Sequence, residues 1–259
     1  EVMGNDEEVE NAARISYGEG TRKVSQTRNL IRYLMRHKHT SPFEMCEVKF
    51  HIKLPIFVMR QLVRHRTANI NEYSGRYSIM SDEFYLPAEA DVQEQSESNN
   101  QGRGKDLDED NKMFVLSRMV NVTDQAKECY RQIATPSPLD GFHEGFKGIA
   151  RELARTVLPV SNYTECIWKI DLNNFFHFAK LRMDAHAQKE IQDYASAMYK
   201  LVKPEFPICC EAFEDYILNS KTFSAKEMEI IKDNLDGSWV MSKYGLSERE
   251  SKEFLEKLN

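Results

Sequence analysis

One stretch of the sequence crowds polar side chains together: Gln61, Arg64, His65, Arg66, Asn69, Asn71, Glu72, Ser74 and Arg76. Arginine forks match phosphate oxygens two bonds at a time and lie flat on rings. The cluster therefore suits a planar, phosphorylated ligand. Gln61 and Arg64 are three apart on a predicted helix, hence on one face. Arg64, His65 and Arg66 fall in its last turn and project in different directions. Gly75, between Ser74 and Arg76, lets the backbone approach a ligand closely. A plainer reading is that cations at a helix C-terminus complement its dipole. That accounts for Arg64 to Arg66 but not for Gln61, Glu72 and Arg76 arriving in the same place.

A second cluster, Leu181-Arg182-Met183-Asp184-Ala185-His186-Ala187-Gln188, follows the aromatic run Phe175-Phe176-His177-Phe178. Aromatics at this spacing are usually core, and a lone histidine is usually a satisfied core or surface residue. Arg155 reads as an ordinary helix-surface arginine, and His39 as a surface loop residue. No G-x-G-x-x-G follows a strand, and neither a Walker A loop nor H-E-x-x-H occurs. Cys209 and Cys210 have no neighbouring base to activate them, so buried or inert thiols are expected.

The elements that must position these groups follow from periodicity. Residues 26–38 predict a helix on Leu30, Leu34 and Met35. Ser41-Pro42-Phe43-Glu44 has capping-box spacing with proline in the first helical position, and room for a single turn. Cys46, Val48, Phe50, Ile52 and Leu54 alternate with Glu47, Lys49, His51 and Lys53, which predicts a strand with one buried face. Pro55 opens a helix to about His65, and TANINEYSG reads as a loop. Residues 93–106 hold no aliphatic or aromatic side chain and predict a solvated loop, the candidate flap. A long amphipathic helix is expected over 110–134, using Met113, Leu116, Val120, Tyr130 and Ile133. A helix over 144–157 and a strand carrying Cys166, Trp168, Ile170 and Leu172 come next. Helix then runs over 174–203, with a break near Met183-Asp184. Ser224/Glu227 and Ser247/Glu250, separated by Asp236-Gly237, predict two small helices in the tail. Antiparallel-type strands among long helices predict an α+β fold. The expected division is a main domain over 1–220 and a helical extension over 221–259.

The 259 residues, 41% of them hydrophobic, suffice for a substantial core. The net charge of -6 argues against a generally basic nucleic-acid surface. An odd five cysteines without C-x-x-C indicate neither a disulfide framework nor a zinc site, so no metal is expected. Scattered free thiols fit a cytoplasmic protein. No apolar run approaches the roughly 18 residues of a membrane helix.

The run Arg64-His65-Arg66-Thr67-Ala68-Asn69-Ile70-Asn71-Glu72-Tyr73-Ser74-Gly75-Arg76-Tyr77 resembles the signature of the flavin-dependent thymidylate synthases: R-H-R, seven residues, then Ser. His39-Thr40-Ser41-Pro42-Phe43-Glu44, Ala154-Arg155-Thr156-Val157-Leu158-Pro159 and the Leu181–Gln188 run resemble further blocks of that family, in order. The likeness spans about residues 9–217. It implies the single-domain α+β fold of that family and conversion of dUMP to dTMP. FAD would be the cofactor, with NADPH and 5,10-methylenetetrahydrofolate as co-substrates. Gln61, Arg64, Glu72, Tyr73, Ser74, Gly75 and Arg76 would hold dUMP, with Arg155 contributed by a neighbouring subunit. Arg182 would contact uracil and favour loss of its N3 proton. Ser41, Glu44, Arg64, His65, Arg66 and Glu72 would lie along FAD, and His39 near the flavin ring. Asp171, Asn173 and His177 occupy positions that approach FAD in the family, although Asp171 does not suit a phosphate. The family's usual first strand is expected to be missing or truncated before Glu1. The likeness also implies a homotetramer with active sites at subunit interfaces.

Two rival readings keep the fold: a non-catalytic nucleotide- or RNA-binding protein, and a flavin-dependent methyltransferase of uracil in RNA. The negative charge and the missing RNA-binding motif count against the first, and the acidic segment around Asp106 to Asp110 against the second, so no nucleic-acid partner and no membrane is expected.

Overall fold

The computed structural model describes residues 1–16, 27–97, 101–233 and 249. The chain divides into two compact units, Glu1–Leu218 and Asn219–Asn259. In chain order the first contains β1 (Val2–Met3), α1 (Asp6–Arg14), α2 (Thr27–Arg36), α3 (Ser41–Glu44), β2 (Glu47–Pro55), α4 (Ile56–Leu62) and β3 (Asn69–Glu72). There follow β4 (Gln93–Gln95), β5 (Arg103–Asp106), α5 (Glu109–Ala134), α6 (Arg151–Ala154), β6 (Tyr163–Asp171), α7 (Leu172–Arg182), α8 (Lys189–Val202) and α9 (Pro207–Phe213). In the second unit α10 covers Ala225–Asp233. The second expected tail helix lies outside the described residues, as does Asp236-Gly237.

The main sheet is antiparallel, in the order β1-β2-β6-β3. Its register pairs Val48 with Ile170, Phe50 with Trp168, Ile52 with Cys166 and Leu54 with Thr164. The period of two therefore puts the apolar residues of both long strands on one face, against which α7 packs. Trp168, Phe175 and Phe178 are fully buried there, and Phe50 lies 5.9 Å from Phe175, stacked. Burial of each such side chain stabilises the fold by about 2–3 kcal/mol. Lys49, His51, Lys53 and Glu165 occupy the opposite, exposed face. The fold is thus mixed helix with an antiparallel sheet, as the patterns indicate.

Several elements differ from expectation. TANINEYSG is not all loop: Asn69–Glu72 is an edge strand against β6. Its side chains are all exposed, so no buried alternation marked it. The polar 93–106 stretch is likewise built on an antiparallel pair, β4 with β5. Backbone hydrogen bonds, which carry no side-chain signature, define both. The 144–157 helix shrinks to α6 and a 3-10 turn over Arg155–Val157. Ser41 is the first residue of α3 rather than its cap; Thr40 precedes it and makes no side-chain capping bond. α5 spans the expected range, but Met113 and Val120 are exposed and only Tyr130 of the proposed stripe is buried. A two-residue strand, β1, stands at the sheet edge beside β2. The break after Arg182 is as the sequence indicates, with α8 resuming at Lys189. Among the described residues no helix is long and apolar enough to cross a membrane.

Candidate active site

α4 ends at Leu62, and its turn carries Gln61, Arg64 and His65 towards the last turn of α7, which carries Arg182. The two meet side by side. Arg182 Nε donates to His65 Nε2 at 3.1 Å, and Arg182 Nη1 to Gln61 Oε1 at 3.3 Å. Gln61 Nε2 in turn donates to Gln188 Oε1 at 2.6 Å. His65 packs edge-on against Phe178, with ring centroids 5.0 Å apart, and against His177 at 6.3 Å.

This geometry fixes the electrostatics. Burial, with the cationic Arg182 and nearby His177, lowers the His65 imidazole to about 4. It is therefore neutral at pH 7. Accepting at Nε2, it carries its proton on Nδ1. Burial and then Arg64 also lower Arg182 from the ordinary arginine value, yet a guanidinium keeps its charge at neutral pH. Among the described residues Arg64, Arg66, Arg155 and Arg182 form no ion pair with a carboxylate. At Arg182, positive charge held by neutral acceptors within the field of Arg64 is a place prepared for an anion.

A second group lies beyond β3. Ser74 Oγ accepts from the Arg76 backbone N–H at 3.3 Å, and Arg76 Nε lies 3.3 Å from Glu152 Oε2. Gly75 is buried, and a Cβ there would stand 2.7 Å from Met80 Sδ and 3.2 Å from Arg155 Cδ. A larger residue there would have to displace the Met80 side chain, a packing reason for glycine that stands beside the ligand approach expected of it. Arg155 thus stands beside Gly75 of its own chain. The Tyr73 hydroxyl donates to Ile79 O at 2.6 Å, which fixes the loop between them. Glu72 shares the face of Cys166 and accepts from Thr164 Oγ1 at 2.9 Å.

The remaining candidates sit at element ends. Lys38 adopts φ 58°, closing α2 in a left-handed turn that lays His39 against Tyr33, ring centroids 5.8 Å apart. Ser41 and Glu44 are exposed on α3. Asp171 is the N-cap of α7: its carboxylate accepts from the Asn174 backbone N–H at 2.9 Å and from Asn174 Nδ2 at 2.7 Å. Asn173 is half-buried and His177 exposed on α7.

Sequence reasoning did not single out Thr164, Glu152 or Gln188 as site residues. Thr164 carried a signal, being the lone hydroxyl on the apolar face of β6. Gln188 closed the second polar cluster without a role being given to it, and Glu152 carried no signal, since its partner is remote in sequence. The four buried thiols offer no nucleophile. Burial pushes Cys46 and Cys166 up to about 11 and Cys210 to about 12, and raises Cys209 further. Among the described residues no group of three His, Cys, Asp or Glu gathers to hold a metal.

The sequence model of the family described as Thymidylate synthase complementing protein matches residues 1–208. The flavin-dependent thymidylate synthase of Ehrlichia ruminantium (strain Gardel) is 47% identical over 259 residues, covering 100% of this chain and 84% of that protein. That of Gluconobacter oxydans is 49% identical over 251 residues, 96% of this chain and 80% of that protein. Among solved structures, the UMP/dUMP methylase PolB from Streptomyces cacaoi bound with 5-Br UMP superimposes with a TM-score of 0.72. It is 34% identical, covering 83% of this chain and 92% of that one. On this family match and these relatives, the chain belongs to the family of flavin-dependent thymidylate synthases.

Proposed function

We propose that this protein converts dUMP to dTMP as a flavin-dependent thymidylate synthase, with Arg182 as the group that activates the pyrimidine. The observation that carries this reading is the Arg182 guanidinium, held by His65 and Gln61 with no carboxylate among the described residues to neutralise it. A uracil ring that loses its N3 proton supplies the missing anion, and its C5 becomes more nucleophilic. His65, being neutral, orients Arg182 without competing for that charge.

dUMP recognition falls to Gln61, Arg64, Glu72, Tyr73, Ser74, Gly75, Arg76 and Arg155. Because Arg155 and Gly75 pack together in one chain, a neighbouring subunit that brings Arg155 also brings Ser74, Gly75 and Arg76. That division supports a homotetramer with sites between subunits. The exposed apolar residues Met113, Phe114 and Val122 on α5 support it.

The donor set also fits FAD. Arg64 and Arg66 are exposed, have no carboxylate partner among the described residues and suit its pyrophosphate. Ser41, Glu44, His65, Glu72, Asn173 and His177 complete that surface, and His39 offers a ring for stacking beside it. Asp171 serves α7 as its cap rather than a phosphate. FAD, when bound, supplies the hydride that completes the methyl group. NADPH is the reductant, and methylenetetrahydrofolate the one-carbon donor. The chemistry resides in 1–220, and 221–259 is an extension, in a cytoplasmic protein.

An absorbance spectrum of the purified protein, followed by dUMP addition under NADPH, tests the reading. A flavin spectrum that bleaches, and bleaches faster with dUMP, is expected. A protein that stays colourless with added FAD would overturn it.

A further inference from the structure

Gln188 is the N-cap residue of α8, yet its side chain makes no capping bond to the helix. Its amide oxygen accepts from Gln61 instead. Something else must therefore hold the start of α8 in place. Two residues on, Glu190 is buried, and its Oε1 accepts from the Tyr85 hydroxyl at 2.6 Å and from Arg103 Nη2. Arg103 Nη1 lies 3.3 Å from Asp91 Oδ1. Burial alone would raise the Glu190 carboxyl; Tyr85, the local backbone N–H and Arg103 outweigh it and leave it below the usual glutamate value. The carboxylate is thus charged, buried and gripped from two distant segments. Tyr85 is itself fixed, its N–H donating to Ser161 O at 2.8 Å. Gln192 braces the other side of the turn, donating to Ala187 O at 2.6 Å.

We propose that Arg103, with Tyr85 and Glu190, is a positioning group for Arg182, acting through the start of α8, Gln188 and Gln61. The proposal rests on the reading of the site given above. The chain of contacts is continuous: Arg103 to Glu190, along the backbone to Gln188, then Gln61 and Arg182. Because Gln61 donates to Gln188, its own carbonyl oxygen is turned to accept from Arg182. Losing the grip on Glu190 frees Gln188, lets the Gln61 amide rotate and loosens the guanidinium that must meet a developing charge. A cavity of about 350 Å³ borders both Arg103 and Glu190, so truncation at residue 103 leaves space for water rather than a collapse.

The test uses the full chain with FAD. Turnover of dUMP is compared for the parent protein, Arg103→Met, Arg103→Lys, Gln188→Ala and the double variant Arg103→Met/Gln188→Ala, with flavin content and thermal midpoint alongside. Arg103→Met is expected to lower kcat about ten- to a hundredfold, with KM for dUMP within about twofold. Arg103→Lys should restore most of the loss. The double variant should be no worse than Gln188→Ala alone, because both changes cut one chain of contacts. Losses that multiply in the double variant, an unchanged kcat, or a loss that only follows reduced flavin content would overturn the proposal. Should Arg103→Met fail to fold, Glu190→Gln, which keeps the shape and the Tyr85 contact, gives the same comparison. A parent protein inert on dUMP removes the reading of the site and this relay with it. An active parent matched by all variants removes the relay alone.

Discussion

Arg28 and Arg32 on α2 face carboxylates, whereas Arg182, at the end of α7, meets His65 and Gln61 within the field of Arg64. Arg28 Nε donates to Glu211 Oε2 at 2.9 Å. Arg32 is buried, lies 3.0 Å from Glu211 Oε1 and sits with its guanidinium 4.8 Å from the Tyr216 ring centroid. Its charge is compensated, and it ties α2 to α9 and the π-helical turn Glu214–Leu218. Arg182 is partly buried too, but its acceptors are neutral and its nearest charge is another cation. A buried charge without its counter-ion costs stability. The first group is arranged for the folded state and the second for a bound anion. Counting arginines does not separate the two; asking what each guanidinium touches does.

The largest effect that would sharpen this contrast is on turnover. Arg182→Ala should lower dUMP methylation by about a thousandfold, roughly 4 kcal/mol of transition-state stabilisation. Flavin should stay bound and the thermal midpoint should hold or rise, since like-charge repulsion with Arg64 is relieved. Steady-state assays and a melting curve report both; a sharp drop in midpoint would erase the distinction. Next is Arg32→Met, which removes two ion pairs and the contact with the Tyr216 ring while Arg28 still pairs Glu211. It should cost about 2 kcal/mol, a midpoint lower by about 4–8 °C, with kcat unaltered at 25 °C. An unchanged midpoint would show that the paired group contributes no more than an exposed ion pair.

The smallest effect concerns His65. Its folded value of about 4 lies below the unfolded histidine value of 6.5. Between those limits the unfolded chain binds the extra proton, so stability is full above about pH 6.5 and falls as pH drops towards 4. With allowance for partial exposure the loss is about 1–2 kcal/mol. Denaturant unfolding of the ligand-free protein at pH 7, 5.5 and 4.5 measures it. His65→Asn should flatten that part of the profile, and an equal slope in both proteins would remove His65 as its source.

Much of the site was written locally. Gln61, Arg64 and His65 belong to one short helix and its turn, so their grouping follows from helical geometry alone. The α7–α8 break was equally visible, because the aromatic run ends where polar residues begin. The reach of Arg182 to this turn was not visible, since 117 positions separate it from His65. β3 escaped notice because an edge strand with exposed side chains is defined by its partner's backbone. The same holds for β4 and β5. The stripe on α5 misled because apolar periodicity marks a surface to be covered without saying whether this chain covers it.

By itself, then, the sequence determined the α+β class, the pairing face of β2 and β6, and the signature Arg64–Ser74 with its implied chemistry. These depend on periods of two and 3.6 and on neighbours along the chain. Only the tertiary structure decided that Arg182 rests on His65 and Gln61, that Arg155 closes on Gly75, and that Glu190 is gripped by Arg103 and Tyr85. Those contacts join residues dozens of positions apart or more. Which of them form is settled by how helices and strands pack, and no local pattern encodes it.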